Sequence, residues 1–173
     1  IPGIAAIRQA RKALDDLGMS GKISLVYAGG IRNGGDVAKA IALGADAIAI
    51  GHSAMMALNC NKDIEEADFE AEMGVEAGSC YHCHTGRCPV GVATQDPELR
   101  KRLNPDEAAE RVYNFLHCLT IEAQMMARAC GKTNIHSLEP EDLAALTMEA
   151  SALAQVPLAG SQHTVGRPDM TRY

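Results

Sequence analysis

Along the first sixty residues, segments with helical spacing of apolar residues alternate with short continuous apolar runs. Helical spacing begins after Pro2, ends before Gly18 and has its apolar positions at Ile4, Ile7, Leu14 and Leu17. Two short apolar runs, Ile23–Ala28 and Ala47–Ile50, predict strands buried on both faces. A short helix over about 36–43, closed by Gly44, is predicted between them, and another at 54–58. Helices alternating with strands of this kind are typical of a parallel sheet, so the pattern predicts an α/β fold.

The pattern changes after residue 58. Residues 59–94 form a stretch rich in Gly, Cys and His, and a loop of this length inside a compact domain usually has a function or a covalent or metal staple. Asn104-Pro105-Asp106 opens a long helix that we expect to reach residue 129, with one apolar face formed by Val112, Phe115, Leu119 and Met126. A further helix is predicted from Ser137 to about Leu153, followed by an irregular tail. We therefore divide the chain into segments 1–58, 59–103 and 104–173.

Composition narrows the class of protein. The 173 residues suit one domain, and with no Trp and only two Phe the core must consist of Ala, Ile, Leu, Val and Met. A net charge of −6 without a Lys/Arg cluster argues against a nucleic-acid partner. No apolar run approaches the roughly 20 residues that cross a bilayer, and no signal peptide is present, so we expect a cytoplasmic protein without a membrane partner. Because the chain opens at Ile1 without an initiator Met, we expect a fragment, a processed product or a split subunit.

Glycine-rich turns follow both predicted strands. The first contains Gly29, Gly30, Ile31 and Arg32, and the second contains Gly51, His52 and Ser53. Glycines at the carboxyl end of a strand let backbone N–H groups approach a phosphate, and the following helix adds the positive end of its dipole. In (β/α)8 barrels such a site is often built by the loops after strands 7 and 8. The pair therefore predicts a phosphate site, although each turn alone would also serve as a tight connection, and Arg32 would also suit a solvated loop.

Three cysteines follow with the spacing C-x2-C-x4-C: Cys80, Cys83 and Cys88, the last preceding Pro89. Cys-x-x-Cys turns bring both sulfurs to one side, so these thiols can meet one soft metal centre. An iron–sulfur cluster is the favoured interpretation. Zinc, with His82, His84 or Cys60 as a fourth ligand, is a second, and free structural cysteines are a third. Cys60 is either a fourth ligand or a small buried residue, and Cys118 and Cys130 are predicted to lie in the core.

These two motifs resemble the glutamate synthase family. The stretch from Gly29 to Val37, followed by Ala42-Leu43-Gly44-Ala45, is similar to the FMN-phosphate end of that family's barrel. The stretch from Cys83 to Gln95 is similar to its iron–sulfur loop. The helices from Asp106 to Ala154, with Gly131-Lys132 between them, resemble the region after the loop in shorter, archaeal-type members, so the resemblance covers almost the whole chain.

The resemblance implies a fold, cofactors and a reaction. The fold would be the C-terminal portion of a (β/α)8 barrel, its last two strands, with an iron–sulfur loop and a helical extension. The implied cofactors are FMN and a 3Fe–4S cluster. The implied reaction reduces 2-iminoglutarate, formed from 2-oxoglutarate and ammonia, to L-glutamate, with electrons from ferredoxin or NADPH. The implied partners are the remainder of the barrel and the glutaminase and electron-donor subunits or domains.

The chain departs from the family pattern at two places. The first cluster cysteine of large members usually lies six residues before the second, where this chain has Ala77; Cys80 lies three before Cys83. A 4Fe–4S cluster that includes Cys60 therefore stays open. The family's aspartate before the two glycines is Ala28 here. The early barrel strands and the N-terminal glutaminase cysteine are missing, so we assign no catalytic residue and expect these residues alone to be inactive.

Two alternative functions stay open beside the leading one. The first is a related FMN oxidoreductase that acts on another amine or 2-oxo acid, because one fold hosts many activities. The second is a non-catalytic module for electron transfer or zinc-stabilised assembly.

Overall fold

The computed structural model describes residues 2–60, 62, 69–76 and 79–167. Its helices and strands are α1 Gly3–Asp16, β1 Val26–Ala28, α2 Gly34–Ala42, β2 Ala47–Ala49, α3 His52–Ala57, α4 Phe69–Met73, α5 Pro97–Arg100, α6 Pro105–Ala129 and α7 Met148–Ala154. Short 3-10 turns occur at Cys83–Thr85, Ile135–Ser137 and Pro140–Asp142. The chain divides into two compact units, residues 1–50 with 119–173, and residues 51–118. The α/β class is confirmed, whereas the barrel and the three predicted segments stay predictions.

The first unit is organised around a parallel pair of strands. β1 and β2 lie side by side with Val26 opposite Ala47 and Ala28 opposite Ala49. Tyr27 and Ile48 face the hydrophobic core, but the alternate residues are exposed. The prediction of strands buried on both faces is therefore wrong for the described chain, and the strands are shorter than predicted. The covered face packs against residues of α1, the α2 region and the C-terminal segment, and the described chain leaves the other face exposed.

The core of this unit lies between the helices and that covered face. It contains Ile7 of α1, Ala40 and Leu43 of the α2 region, and Val156 of the C-terminal segment. Gly18 and Gly44 both have positive φ, as predicted for the residues that end α1 and α2, because a left-handed residue lets the chain leave the helix. Leu17 was predicted to lie on the apolar face of α1, but it is 73% exposed because α1 ends before it.

A polar network ties α1 to both strands. The Arg11 guanidinium donates to the carbonyl of Gly44, at 2.8 Å from Nε, and to Asp46 Oδ2 at 2.6 Å. The same Asp46 oxygen accepts the Leu25 N–H at 2.6 Å. The Leu25 hydrogen bond and the Arg11 contact hold the pKa of Asp46 below its usual value. The network therefore fixes the residues that enter β1 and β2 relative to α1.

The C-terminal region differs from its prediction. α6 spans Pro105–Ala129, with the side chain of Asn104 accepting from the Asp106 N–H, as its sequence predicted. The predicted helix from Ser137 to Leu153 is wrong, because two 3-10 turns at Ile135–Ser137 and Pro140–Asp142 precede α7. Pro140 removes a helical N–H donor and fixes its φ, so the chain cannot continue a helix through it without a break.

Two further features of this region were not predicted. Met126 is exposed, and the small residues Ala123 and Ala127 form the buried face of α6 in this unit. Ser151 is fully buried; its Oγ donates to the Val156 carbonyl at 2.7 Å and accepts the Val165 N–H at 3.1 Å. That hydroxyl orders part of a tail that was predicted to be irregular.

The second unit contains α3, α4, α5, the first part of α6 and the cysteine loop. α4 and α5 are short helices of five and four residues that sequence periodicity could not reveal. α5 begins after Asp96, whose carboxylate accepts the N–H groups of Glu98 and Leu99. No helix within the described ranges is long and apolar enough to cross a membrane.

We expect Asp46→Asn to lower the free energy of unfolding by about 1 kcal/mol at pH 7, because it weakens two hydrogen bonds at a partly exposed site. The pKa of Asp46 is lowered on folding, so its contribution is present above the ordinary carboxylate range and is lost as the pH falls through the lower folded value. Chemical unfolding at several pH values measures this. The control is Asp16→Asn, which alters an exposed Lys12 pair. If the difference in free energy of unfolding between wild type and Asp46→Asn were the same at pH 2 as at pH 7, the role of Asp46 would be contradicted.

Candidate functional site

The turn after β1 has the backbone that a phosphate site needs. Gly29 and Gly30 have φ values of 124° and 68°, which L side chains rarely adopt. Both residues are exposed, and no atom of the described chain lies within 4 Å of the position a Cβ would take at either one. Neither glycine makes a backbone hydrogen bond with another described residue. The turn therefore presents accessible backbone at the carboxyl edge of the parallel strands.

The N-terminus of α2 is already occupied by groups of the chain itself. Gly34, its first residue, donates its N–H to Glu122 Oε2 at 2.7 Å. Asn33 Oδ1 accepts the Asp36 N–H at 2.9 Å. We expected the positive end of this helix to face the phosphate directly. Instead, a carboxylate and an amide oxygen already accept two of its first-turn N–H groups.

Asp36, in the first turn of α2, holds Arg32 of the glycine turn by hydrogen bonds. Its side chain is buried, and its Oδ2 accepts both the backbone N–H and the Nε of Arg32 at 3.2 Å. Its Oδ1 accepts from Lys39 Nζ at 3.0 Å. Burial tends to raise the pKa of Asp36, but the hydrogen bonds from Lys39 and Arg32 outweigh it and hold that pKa below its usual value. Arg32 is thus anchored at one end of its guanidinium, while its side chain stays 78% exposed.

The other predicted phosphate-site residues occupy different environments. Ile31 is buried in the core of the first unit, so its side chain anchors the glycine turn there. Gly51 and His52 are exposed and Ser53 is partly buried, all in the second unit. Gly51 precedes α3 with φ of −122°, and no described atom lies within 4 Å of where its Cβ would be. The structure pairs Ala28 with Ala49, so the two strands that lead into the two turns end side by side.

The cysteine loop is held in shape by backbone turns and by the hydroxyls of Thr85 and Thr94. Cys83–Thr85 forms a 3-10 turn that ends at Gly86, which has positive φ. The Thr94 hydroxyl, which is buried, donates to the Gly86 carbonyl at 2.5 Å and accepts the Asp96 N–H at 3.1 Å. These bonds close the loop around Cys88, which packs in a small apolar cluster with Val90, Val92 and Ala93.

Cys60 lies in the same unit as the three loop cysteines, 20 residues before the nearest of them in sequence. Burial raises the pKa of the Cys60 thiol, and the electrostatic influence of Cys80, Cys83 and Cys88 raises it further. The thiols are free, and no set of three or more His, Cys, Asp or Glu side chains within the described part of the chain is arranged to hold a metal ion. The predicted ligand set therefore stays a prediction.

The remaining cysteines, and the site residues that sequence reasoning did not identify, are placed as follows. Cys118 and Cys130, predicted to be core residues, are both exposed on α6 or at its end, because that side of the helix is not covered by the described chain. Ala77, the position that departs from the family pattern, lies outside the described residues. The role of Asp36 in holding Arg32 was not predicted, although its place three residues after Asn33 is a signal of helix capping. No sequence signal indicated the contact of Glu122 with Gly34, since the two residues lie 88 positions apart.

Comparison with known proteins identifies the family. The family model described as a conserved region in glutamate synthase matches residues 1–133. A glutamate synthase large subunit-like protein of Rhizobium meliloti is 54% identical over 167 residues, covering 96% of this chain and 38% of its own length. The chain belongs to the glutamate synthase family.

Archaeal-type relatives match over a somewhat smaller region of the chain. The archaeal-type glutamate synthase (NADPH) of Dehalococcoides mccartyi is 40% identical over 138 residues, and the archaeal glutamate synthase (NADPH) of Methanocaldococcus jannaschii is 41% identical over 138 residues. Each match covers 80% of this chain and 24% of the relative. The chain thus spans about a quarter to two fifths of the length of these relatives. No solved structure matches it significantly.

We expect Gly34→Ala to destabilise the protein by about 3 kcal/mol, at the upper end of the usual cost of overpacking. A Cβ at Gly34 would overlap the backbone of Leu119 and Ala123, which cannot move aside without shifting α6. Gly35→Ala is the matched control: its Cβ would meet only the Asn33 side chain, and alanine favours the helix. Denaturant unfolding distinguishes the two. Equal stabilities of the two variants would show that α2 does not pack on α6 as described.

Proposed function

We propose that this protein is a glutamate synthase-type oxidoreductase that reduces 2-iminoglutarate, formed from 2-oxoglutarate and ammonia, to L-glutamate. The single observation that carries the proposal is the exposed Gly29–Gly30 turn at the carboxyl edge of parallel strands. It is the kind of backbone that binds the phosphate of a nucleotide cofactor. Family membership supplies the reaction class. The electron donor in this proposal is NADPH, which two relatives' names carry, or ferredoxin.

FMN is the proposed cofactor of the glycine turns. Its phosphate would accept from the backbone N–H groups of Gly29 and Gly30, and the exposed Arg32 guanidinium would add positive charge. Gly51, His52 and Ser53 form the second proposed contact, after the neighbouring strand. When bound, the flavin supplies the hydride chemistry that reduction of an imine needs. The rest of the (β/α)8 barrel, which we propose surrounds the flavin, would come from the part of the relatives' length that this chain does not span.

An iron–sulfur cluster is the proposed occupant of the cysteine loop. Cys80, Cys83 and Cys88 would be its ligands, and their thiol chemistry suits iron and sulfide. Cys60 lies in the same unit as these three cysteines, so the proposed cluster is 3Fe–4S with three ligands or 4Fe–4S with Cys60 included. Such a centre carries electrons one at a time, which zinc cannot do.

The length of α3 gives an estimate of the distance between the two proposed cofactor sites. The helix starts at His52, in the second glycine turn, and ends at Ala57, three residues before Cys60. A helix of this length spans roughly 9 Å, so a flavin phosphate at His52 and a cluster at Cys60 would be near neighbours. One short helix would therefore link the two cofactor sites.

We expect Gly30→Val in the full-length protein to weaken FMN binding at least about tenfold, because a Cβ on a left-handed residue strains the turn and blocks backbone approach. Titration followed by flavin fluorescence measures the affinity. Gly160→Val is the control, since Gly160 also has positive φ and open space around it but lies outside the proposed site. Equal FMN affinity in the two variants would remove the glycine turn from the phosphate site.

We expect Cys88→Ser to lower bound iron and labile sulfide and to abolish donor-dependent flavin reduction, because a buried hydroxyl is a poor substitute for a thiolate ligand. FMN content should survive, since the glycine turns are separate from the cysteine loop in sequence. Cys118→Ser, which alters an exposed thiol on α6, should leave iron unchanged.

Cys60→Ser tests the fourth ligand by the same measurements. Lost iron assigns Cys60 to the cluster, and intact iron favours the three-cysteine form. Anaerobically prepared wild-type protein that holds stoichiometric zinc and no iron would disprove the electron-transfer role and make the loop structural.

A further inference from the structure

Glu122 contacts the residue at which the chain passes from the glycine turn into α2. It lies on α6, and its Oε2 accepts the N–H of Gly34 at 2.7 Å. This distance is typical of a charge-assisted hydrogen bond between a carboxylate and a backbone N–H. Gly34 is buried at the same place, with the Leu119 carbonyl and the Ala123 N–H so close that no Cβ would fit. α6 therefore contacts the first residue of α2 by both packing and charge.

This contact fixes one end of the strand-to-helix connection. At the other end, Ala28 is held by its pairing with Ala49, and between them Ile31 is anchored in the core. The Asp36 carboxylate binds Arg32 back onto the start of α2. What is left without such a constraint is Gly29 and Gly30, the two positive-φ residues. Glu122 thus fixes the last of the positions that flank Gly29 and Gly30 and limit the conformation of the glycine turn.

The carboxylate also changes where an anion can bind. Helix N-termini attract phosphate through their first N–H groups and the helix dipole. In α2 the Gly34 N–H is taken by Glu122 and the Asp36 N–H by Asn33, so a phosphate there would have to displace a chain group and approach a negative charge. The accessible backbone of Gly29 and Gly30 has no such competitor among the described residues.

We propose that Glu122 is a positioning residue for the flavin phosphate, which orders the glycine turn through Gly34 and directs the phosphate away from α2 toward Gly29 and Gly30. The inference rests on the proposed function, because it requires that the turn binds FMN. Glu122 acts through the backbone of Gly34 and has no contact with the flavin, so it is not a catalytic residue.

The test compares FMN with riboflavin, which lacks the phosphate, in the full-length protein freed of flavin. We expect Glu122→Ala to weaken FMN binding by about tenfold, because the glycine turn is then no longer ordered before the phosphate binds and binding must supply that ordering. Riboflavin affinity should stay at the wild-type level. Glu122→Gln keeps a side-chain oxygen that can accept the Gly34 N–H, so it should restore most of the FMN affinity. Glu110→Ala, an exposed carboxylate removed elsewhere on α6, is the matched control.

Amide hydrogen exchange provides a second readout that needs no flavin. The Gly34 amide should be protected in wild type and in Glu122→Gln, and should exchange faster in Glu122→Ala. A preference for FMN over riboflavin that survives intact in Glu122→Ala overturns the positioning role alone. Wild-type protein that binds FMN and riboflavin equally, or binds neither, overturns the proposed function and this inference with it.

Discussion

The close packing of Gly34 against α6 is the constraint on which the described arrangement of the first unit depends. A residue without a side chain lets the start of α2 lie against the backbone of Leu119 and Ala123, and Glu122 accepts the N–H of Gly34 there. Two segments about ninety residues apart in sequence thereby become one structural element. The segment just before Gly34 is the glycine turn, so the constraint bears on the region to which we assign ligand binding.

A second constraint, the Arg11–Asp46 network, acts at the opposite ends of the strands. It joins the N–H of Leu25, the carbonyl of Gly44 and the guanidinium of Arg11 around one carboxylate. The strands enter the sheet from this polar network, and β1 leaves it into the positive-φ residues Gly29 and Gly30. This asymmetry is common where a rigid scaffold presents a binding loop.

Local sequence signals predicted the parts of the fold that depend on local chemistry. Helical spacing and the terminal glycines located α1 and α2, and Asn104 with the residues after it located α6. The sequence could not show that one face of each strand is exposed, because apolar residues such as Val26 suit either a buried or an uncovered face. It overextended the helix after Ser137, where Pro140 and capping interactions favour 3-10 turns. The glycine turns and cysteine spacing could be located from sequence. The contact of Glu122 with Gly34 could not, because it depends on how distant segments pack.

We propose that one protein combines a flavin site at its glycine turns with an iron–sulfur site at its cysteine loop. The decisive experiment is anaerobic purification of the full-length protein, followed by its visible absorption spectrum and assays of flavin, iron and sulfide. We expect flavin absorption bands above a broad brown shoulder, with FMN, iron and sulfide all present in stoichiometric amounts. A colourless protein that contains zinc and neither flavin nor iron would contradict it.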